Sequence, residues 1–339
     1  MTREAPVMVP VLSSSNAPLM PCHPARAREL LKKRKATKKW FKGIFCIKLI
    51  MRKTGIKQPI ICGIDPGSKK EAFSVLSQKH TYLNVLSDAV TWVNKRIETR
   101  RMMRLNRRGR KTPCRKPKIN RKTKLSPSTK SRWLVKLRII KFLRRLYPIS
   151  GYVVEDNKAI TKPRQRLWNK HFSTIQTGKK FFFNELSTLG TLILRRGYET
   201  KELRESLGLI KSHTQTESFS SHNIDSWALA NSVVENNKPN NLTLFRMIPL
   251  EMHRRQLHRL QPSKGNVRLN YGGTCFLNLK KGCIVRYRGK RYLSVGGFTK
   301  NRQFVALNDL QTGKRKIECA LSERCELIYY SSFRTYQIK

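Results

Sequence analysis

The run Ile60-Ile61-Cys62-Gly63-Ile64-Asp65-Pro66-Gly67 decides how the chain is read. It is apolar, rich in β-branched residues and too short for a helix, so Ile60–Asp65 is a buried strand; Pro66-Gly67 then turns the chain and leaves the Asp65 carboxyl at a sheet edge. Two further strands are expected close behind, at Ala72–Leu76 and Tyr82–Leu86, joined by short polar turns. Downstream, Gly151–Glu155 reads as a short buried strand that also ends in a carboxylate, Glu155. Lys179–Leu189 and His222–Glu235 read as helices, and together these segments make an α/β domain that opens at residues 58–90.

Charge names the class of partner. Lys plus Arg number 72 against 20 Asp plus Glu, a net charge of +52, and a compact fold carries that self-repulsion comfortably only beside a polyanion. Ribosomal proteins and histones share this balance, so composition points to nucleic acid and says little about catalysis. Residues 95–145 hold 22 Lys or Arg and one acid, Glu98. Within that tract Trp92–Arg108 is expected to be one helix. Gly109–Ser131, rich in Pro and basic residues, has nothing to pack with and is expected to order only against nucleic acid. Leu134–Leu146 regains helical periodicity through Leu134, Leu137, Ile140, Leu143 and Leu146.

The ends of the chain differ from its middle. Val7–Leu12 reads as a strand, Ser13–Asn16 as a turn, and Pro24–Lys35 as an amphipathic helix with Pro24 in its first turn. From Tyr271 onward, short alternating strands with glycine-centred turns at Arg288-Gly289-Lys290 and Thr312-Gly313-Lys314 mark a separate small β-barrel or sheet. The eight cysteines form no C-x-x-C pair, which argues against a zinc site. Several sit in apolar runs, as small hydrophobes in a reducing compartment would. No apolar run reaches a membrane-spanning length, and a soluble, intracellular protein is expected.

In a chain so poor in carboxylates, three stand at element ends where they could meet. Asp65 and Glu155 close strands, and Asp225 follows His222 by three positions on an expected helix, which sets both on one face. Such an oxygen-rich pocket suits Mg²⁺ or Mn²⁺, and two such ions can promote cleavage of a phosphodiester. Each residue has a plainer reading beside this one: Asp-Pro-Gly as an ordinary turn, Glu155 as a solvated strand end, His222 as a helix cap.

The order of these motifs resembles the RuvC-type nucleases of the RNase H-like fold. Gly63-Ile64-Asp65-Pro66-Gly67 is similar to the first motif, Val153-Val154-Glu155-Asp156 to the second, and His222-Asn223-Ile224-Asp225-Ser226-Trp227 to the third. Pro18-Leu19-Met20-Pro21 resembles the signature of the PLMP domain in the transposon-encoded IscB and IsrB families, and Arg100 to Arg110 resembles their bridge helix. Arg254 to Pro262 and Tyr271-Gly272-Gly273-Thr274 resemble the link to their C-terminal module. IscB proteins carry an HNH domain between the second and third motifs. Here only 66 residues separate Glu155 from His222, and they hold no His-Asn-His set, so the resemblance is to IsrB.

That resemblance implies a mixed-sheet RNase H-like fold. Its parts would be a PLMP-like module at 1–57, RuvC part I at 58–92, an Arg-rich bridge helix and basic linker at 93–131, RuvC parts II and III at 132–248, a basic connector at 249–270, and a C-terminal β module at 271–339 that reads a short target-adjacent motif. It further implies a monomeric protein bound to an omega-type guide RNA, nicking the non-target strand of double-stranded DNA. Asp65, Glu155 and Asp225 would be metal ligands, with two Mg²⁺ or Mn²⁺ ions, and His222 either a further ligand or the group that orients or protonates near the scissile phosphate. Arg100, Arg101, Arg104, Arg107, Arg108 and Arg110 would grip the guide's backbone by shape and phosphate. Arg254, Arg255, His258 and Arg259 would contact nucleic acid from the connector. The setting would be the cytoplasm or nucleoid of a bacterium, or a plastid. A catalytically silent RNA-guided DNA binder, a guide-independent structure-selective nuclease and a basic ribosome-associated protein are the alternatives.

Overall fold

The computed structural model describes residues 7–111, 125, 127–156, 166–212, 214, 216–236, 238–251, 260–261, 266–267, 275–277 and 279–338. The chain divides into two compact units, the first made of Met1–Trp40 and Phe45–Leu244, the second of Phe41–Ile44 and Phe245–Ile338. No described helix is long and apolar enough to cross a membrane.

The first unit begins with β1 (Val9–Leu12), β2 (Pro18–Cys22), helix α1 (Pro24–Lys32), β3 (Ala36–Phe41) and β4 (Ile44–Leu49), the strands lying in the order β2-β1-β4-β3. Pro24 occupies the first turn of α1 and His23 caps it, Nδ1 accepting from the Ala25 amide at 3.2 Å. The helix stops three residues short of the expected Lys35, because Arg34 takes a left-handed conformation (φ 53°). Val11, Leu19, Ala27, Ala36 and Ile47 form the core beneath it.

The principal sheet contains β5 (Ile61–Asp65), β6 (Lys70–Leu76) and β7 (Thr81–Asp88), then β8 (Gly151–Glu155) and β9 (Thr191–Arg195), in the order β7-β6-β5-β8-β9. The first three are antiparallel, whereas β5, β8 and β9 run parallel. All of the expected strands are present. Between them lie α2 (Trp92–Gly109), α3 (Pro127–Leu146), α4 (Arg166–Ser187) and α5 (Gly197–Ser206). A π-helical turn, Phe219–Asn223, leads into α6 (Ile224–Val234).

Two sequence expectations need correction. Helix α3 starts at Pro127, so residues 127–131 do not wait for nucleic acid to order them; Leu125, Trp133 and Val135 are buried there, and the Trp133 ring lies 5.4 Å from that of Phe182 on α4. Residues 112–124 of the same basic tract lie outside the described residues. Of the expected stripe, Leu137, Ile140, Leu143 and Leu146 are buried and only Leu134 is exposed, at 40%; Val135, Ile139 and Phe142 are buried as well. A helix touching both the sheet and α4 needs two apolar faces, which a single-stripe reading misses.

The two faces of the sheet take different helices. Gly63 and Asp65 point to the face covered by α6, since a Cβ at Gly63 would lie 1.8 Å from the Ser226 carbonyl oxygen. Glu71 neighbours Ala72, the residue paired with Asp65, and so points to the opposite face, where it meets Lys136 of α3 in a buried ion pair.

The second unit contains β10 (Leu244–Pro249), two short hairpins formed by β11 (Leu260–Gln261) with β12 (Asn266–Val267) and β13 (Cys275–Phe276) with β14 (Leu279–Lys280), and then β15 (Cys283–Tyr287), β16 (Lys290–Thr299), β17 (Gln303–Asn308), β18 (Arg315–Leu321), β19 (Glu326–Tyr330) and β20 (Phe333–Ile338). Five of them form an antiparallel sheet in the order β18-β17-β16-β15-β19 around Cys283, Val285, Val305 and Leu307. The expected turn at Arg288-Gly289 joins β15 to β16 with both residues at positive φ, 47° and 74°, the backbone that a two-residue hairpin demands. Residues 254–259 and 271–274 lie outside the described residues.

Gly63→Ala is expected to cost about 3 kcal/mol or more of stability, because the intruding carbon meets backbone that cannot swing aside. Gly109→Ala, with nothing within 4 Å, is expected to be neutral or slightly stabilising. Urea denaturation followed by tryptophan fluorescence measures both; equal stability of the two variants would contradict the close approach of α6.

Candidate active site

Parallel pairing brings two of the three candidate carboxylates together. The register Gly63↔Val153 and Ile64↔Val154 carries on to place Asp65 beside Glu155 at the same end of adjacent strands. The third arrives through α6, whose close approach at Gly63 sets Asp225 one residue from the Ser226 carbonyl that touches the sheet.

Most of the segment from His222 to Trp227 anchors that helix. The Asn223 amide donates to the carbonyls of Phe73 (3.2 Å) and Val85 (3.1 Å). Ser226 Oγ lies 2.8 Å from Ser74 Oγ, and Trp227 Nε1 donates to Thr81 Oγ1 at 2.8 Å. His222 itself lies in the π-helical turn before α6, not within the helix as its spacing from Asp225 suggests. Every residue from Ile224 to Asn231 is buried, so the helix has no polar outer face there. The expected shared His–Asp face is replaced by a wider turn, a distortion often found at functional sites.

Asp65 and His222 line one small cavity of about 70 Å³ with Lys70, Ala72, Leu86, Lys211 and Ser221. Burial, then the negative charges of Glu155 and Asp225, push the Asp65 carboxyl up to about 7, with Lys211 acting the other way. Asp225 is itself neutralised: Arg204 Nη1 lies 2.7 Å from Oδ1, and Lys211 Nζ contacts Oδ2. Lys70 bridges Asp88 (2.7 Å) and Glu217 (2.9 Å), and Asp156, next to Glu155, is held by Lys179 at 2.9 Å. Sequence reading finds none of these cations, because Arg204 and Lys211 precede Asp225 by 21 and 14 residues in segments with no motif of their own.

Among the described residues, no three His, Cys, Asp or Glu side chains stand close enough to grip a metal ion as they are. The donor chemistry nevertheless suits a hard divalent cation: carboxylates meet at one strand edge, and burial, together with their repulsion, favours a proton on Asp65 that a cation would displace. Asp225 would then exchange Lys211 for that ion.

The arginines expected on a bridge helix are on α2. Arg100, Arg101, Arg104 and Arg108 are exposed and Arg107 is half-buried; Arg110 is exposed just beyond its end. Ile97, Met102 and Leu105 are also 44%, 50% and 47% exposed. Arg254, Arg255, His258 and Arg259 lie outside the described residues.

Comparison with known proteins adds a family match. Residues 9–171 match the model of the RRXRR protein family. No curated protein matches the sequence. Among solved structures, the chain is similar to T. thermophilus RuvC in complex with Holliday junction substrate (16% identity, TM-score 0.27, 51% of this chain and 90% of that one). It is also similar to a second Thermus thermophilus RuvC structure (13% identity, TM-score 0.25, 50% and 90%).

The raised Asp65 makes stability depend on pH. An unfolded aspartate titrates near 3.9, so the folded chain holds an extra proton between about pH 4 and 7. The associated stability is complete below about pH 4 and is lost as pH rises through 7. In metal-free buffer, Asp65→Asn is therefore expected to be more stable than wild type at pH 8, by on the order of 2 kcal/mol, and no more stable near pH 4. Urea titrations with a chelator at both pH values measure this; an asparagine variant with no advantage at pH 8 would mean that the folded chain accommodates an ionised Asp65 without strain.

Proposed function

We propose that this chain is a metal-dependent, RNA-guided DNA nickase of the IsrB kind, with an RNase H-like catalytic domain. The observation that carries the reading is the convergence of Glu155 and Asp225 on Asp65, which raises its carboxyl at a strand edge in a chain of net charge +52. Concentrated negative charge in so basic a protein has no use in folding, since it costs stability, but it is what a cation bound beside a phosphodiester requires. The three ordered sequence motifs support the same reading, as does the match over residues 9–171 to a family found in IscB- and IsrB-type proteins.

In this reading Asp65, Glu155 and Asp225 hold the metal, and His222 serves as ligand or as the group that orients or protonates near the scissile phosphate. Bound Mg²⁺ or Mn²⁺ supplies Lewis acidity and activates water toward the phosphorus. Lys211, released from Asp225, and Lys70 on the cavity wall place positive charge beside the phosphate oxygens. The arginines of α2 hold the guide through its backbone, and the exposed Ile97, Met102 and Leu105 gain cover from the same partner. The second unit reads the target-adjacent DNA. Between Glu155 and His222 the described residues form α4, β9 and α5, and the 66 residues of that interval hold no His-Asn-His set. One centre cuts one strand, the displaced strand of an R-loop.

A second reading, a catalytically silent RNA-guided DNA binder, is favoured by one observation: Asp225 is occupied by Arg204 and Lys211 together.

With guide RNA and Mg²⁺, supercoiled target plasmid is expected to accumulate as open circle, nicked on the strand not paired to the guide. Asp65→Ala and Glu155→Ala should each slow nicking by at least about 100-fold while leaving RNA and target binding within a few-fold of wild type. Linear product at early times, abolished by Asp65→Ala, would overturn the single-strand assignment; guide-dependent binding with no nicking by wild type would establish the silent reading.

A further inference from the structure

A second charged feature lies at the other end of the strands that carry the carboxylates. An open-sided groove of about 750 Å³ is bounded by Pro18 of β2, by Lys57 to Pro59 leading into β5, by the last turns of α3, and by Tyr147 to Ser150 leading into β8. Strands β5 and β8 run parallel, so their first residues, Ile61 and Gly151, lie about 13 Å along the strand from Asp65 and Glu155. The groove is thus separate from the candidate active site.

Four cations line it, Lys57, Lys141, Arg144 and Arg145, and no acid does. Among the described residues none of the four forms an ion pair with a carboxylate, in contrast to Lys70, Lys136, Lys179, Arg204 and Lys211 of the same unit. Basic residues at the end of α3 compensate its dipole, which accounts for Arg144 and Arg145. It does not account for Lys57, which belongs to no helix and comes from a segment 84 residues before Lys141. Prolines 18, 59 and 148 and the fully buried Tyr147 give the groove a stiff, apolar floor that spares the cations the entropy cost of a loose surface.

We propose that this groove binds the phosphodiester backbone of a nucleic acid at phosphates other than the scissile one. Cations that converge from two segments 84 residues apart, without acids, neutralise successive phosphates and release their counterions. The distance from Asp65 excludes the scissile phosphate. Only the words "other than the scissile one" rest on the nuclease reading; backbone binding stands without it. The groove gives the chain a second hold on nucleic acid, independent of the arginines on α2.

The test compares full-length wild type with Lys57→Gln/Lys141→Gln/Arg145→Gln, three exposed positions whose neutralisation leaves the core untouched. A control, Lys180→Gln/Lys201→Gln/Lys238→Gln, removes the same charge from exposed sites outside the groove. Affinity for an RNA duplex and for a DNA duplex of the same sequence is measured between about 50 and 200 mM salt. Three lost phosphate contacts should flatten the logarithmic salt slope by about 2.7, so that wild type loses about 40-fold more affinity than the groove variant across that range. The control should keep the wild-type slope. Flattening for RNA alone assigns the groove to RNA, for DNA alone to DNA, and for both to the shared backbone. A groove variant that behaves as the control does overturns the proposal. So does loss of the slope in the charge-preserving Lys57→Arg/Lys141→Arg/Arg145→Lys variant, which would trace the effect to packing. Nicking is measured in parallel: a chain that binds as expected but never nicks removes the nuclease reading alone, and one that nicks with an unchanged slope removes the groove alone.

Discussion

The contact between Gly63 and the carbonyl of Ser226 is the constraint from which the rest of the first unit follows. No side chain fits between β5 and α6 at that point, and the helix lies against the strand at backbone distance. So close a helix cannot slide, and Asn223, Ser226 and Trp227 hydrogen-bond it to β6 and β7. The register of α6 is fixed to within a fraction of a turn, which is the precision that bringing Asp225 toward two strand-end carboxylates needs. The π-helical turn that precedes α6 is the adjustment the chain makes to enter that position, and it carries His222 to the wall of the cavity that Asp65 lines.

That arrangement concentrates negative charge, and the protein offsets it locally. Arg204 and Lys211 neutralise Asp225, Lys70 bridges Asp88 and Glu217, and Lys179 holds Asp156. Asp65 is left to carry the imbalance, through a carboxyl raised by burial and by its neighbours. On the opposite face the buried pair of Lys136 and Glu71 shows the other outcome: a carboxylate given one dedicated cation, beneath the Trp133 ring. Burial raises the Glu71 carboxyl as well, with Lys136 acting the other way, whereas at Asp65 the neighbouring carboxylates add to the effect of burial.

Much of this fold is legible in the amino-acid sequence. The strands ending in Asp65 and Glu155 announce themselves because a short β-branched run and a turn dipeptide are local signals, and all strands of the principal sheet that alternation predicts are formed. The hairpin at Arg288-Gly289 is equally plain, since its chemistry is contained in two residues. Less legible are features decided by distant partners. The start of α3 at Pro127 depends on packing against α4, and the exposure of Leu134 depends on which of two faces the sheet takes. The spacing of His222 and Asp225 suggests a regular helix, but the buried Asn223 Nδ2 donates to the sheet carbonyls of Phe73 and Val85, and the turn is wider there. Lys211 and Arg204 sit in segments whose composition gives no sign that they end on Asp225.

Parallel pairing of β5 with β8 has a consequence beyond the candidate site. Two antiparallel strands would interleave their starts and ends, mixing whatever charges flank them. Parallel strands bring like ends together, so the carboxylates that close β5 and β8 meet at one edge while the basic segments that lead into them meet at the other. The same pairing therefore separates repulsion from attraction along a single axis about 13 Å long. For a chain of net charge +52, attracting a polyanion requires no special device, but gathering carboxylates at one edge does. The sheet supplies it by bringing like strand ends together, while Arg204, Lys211 and Lys179 offset the charge gathered there.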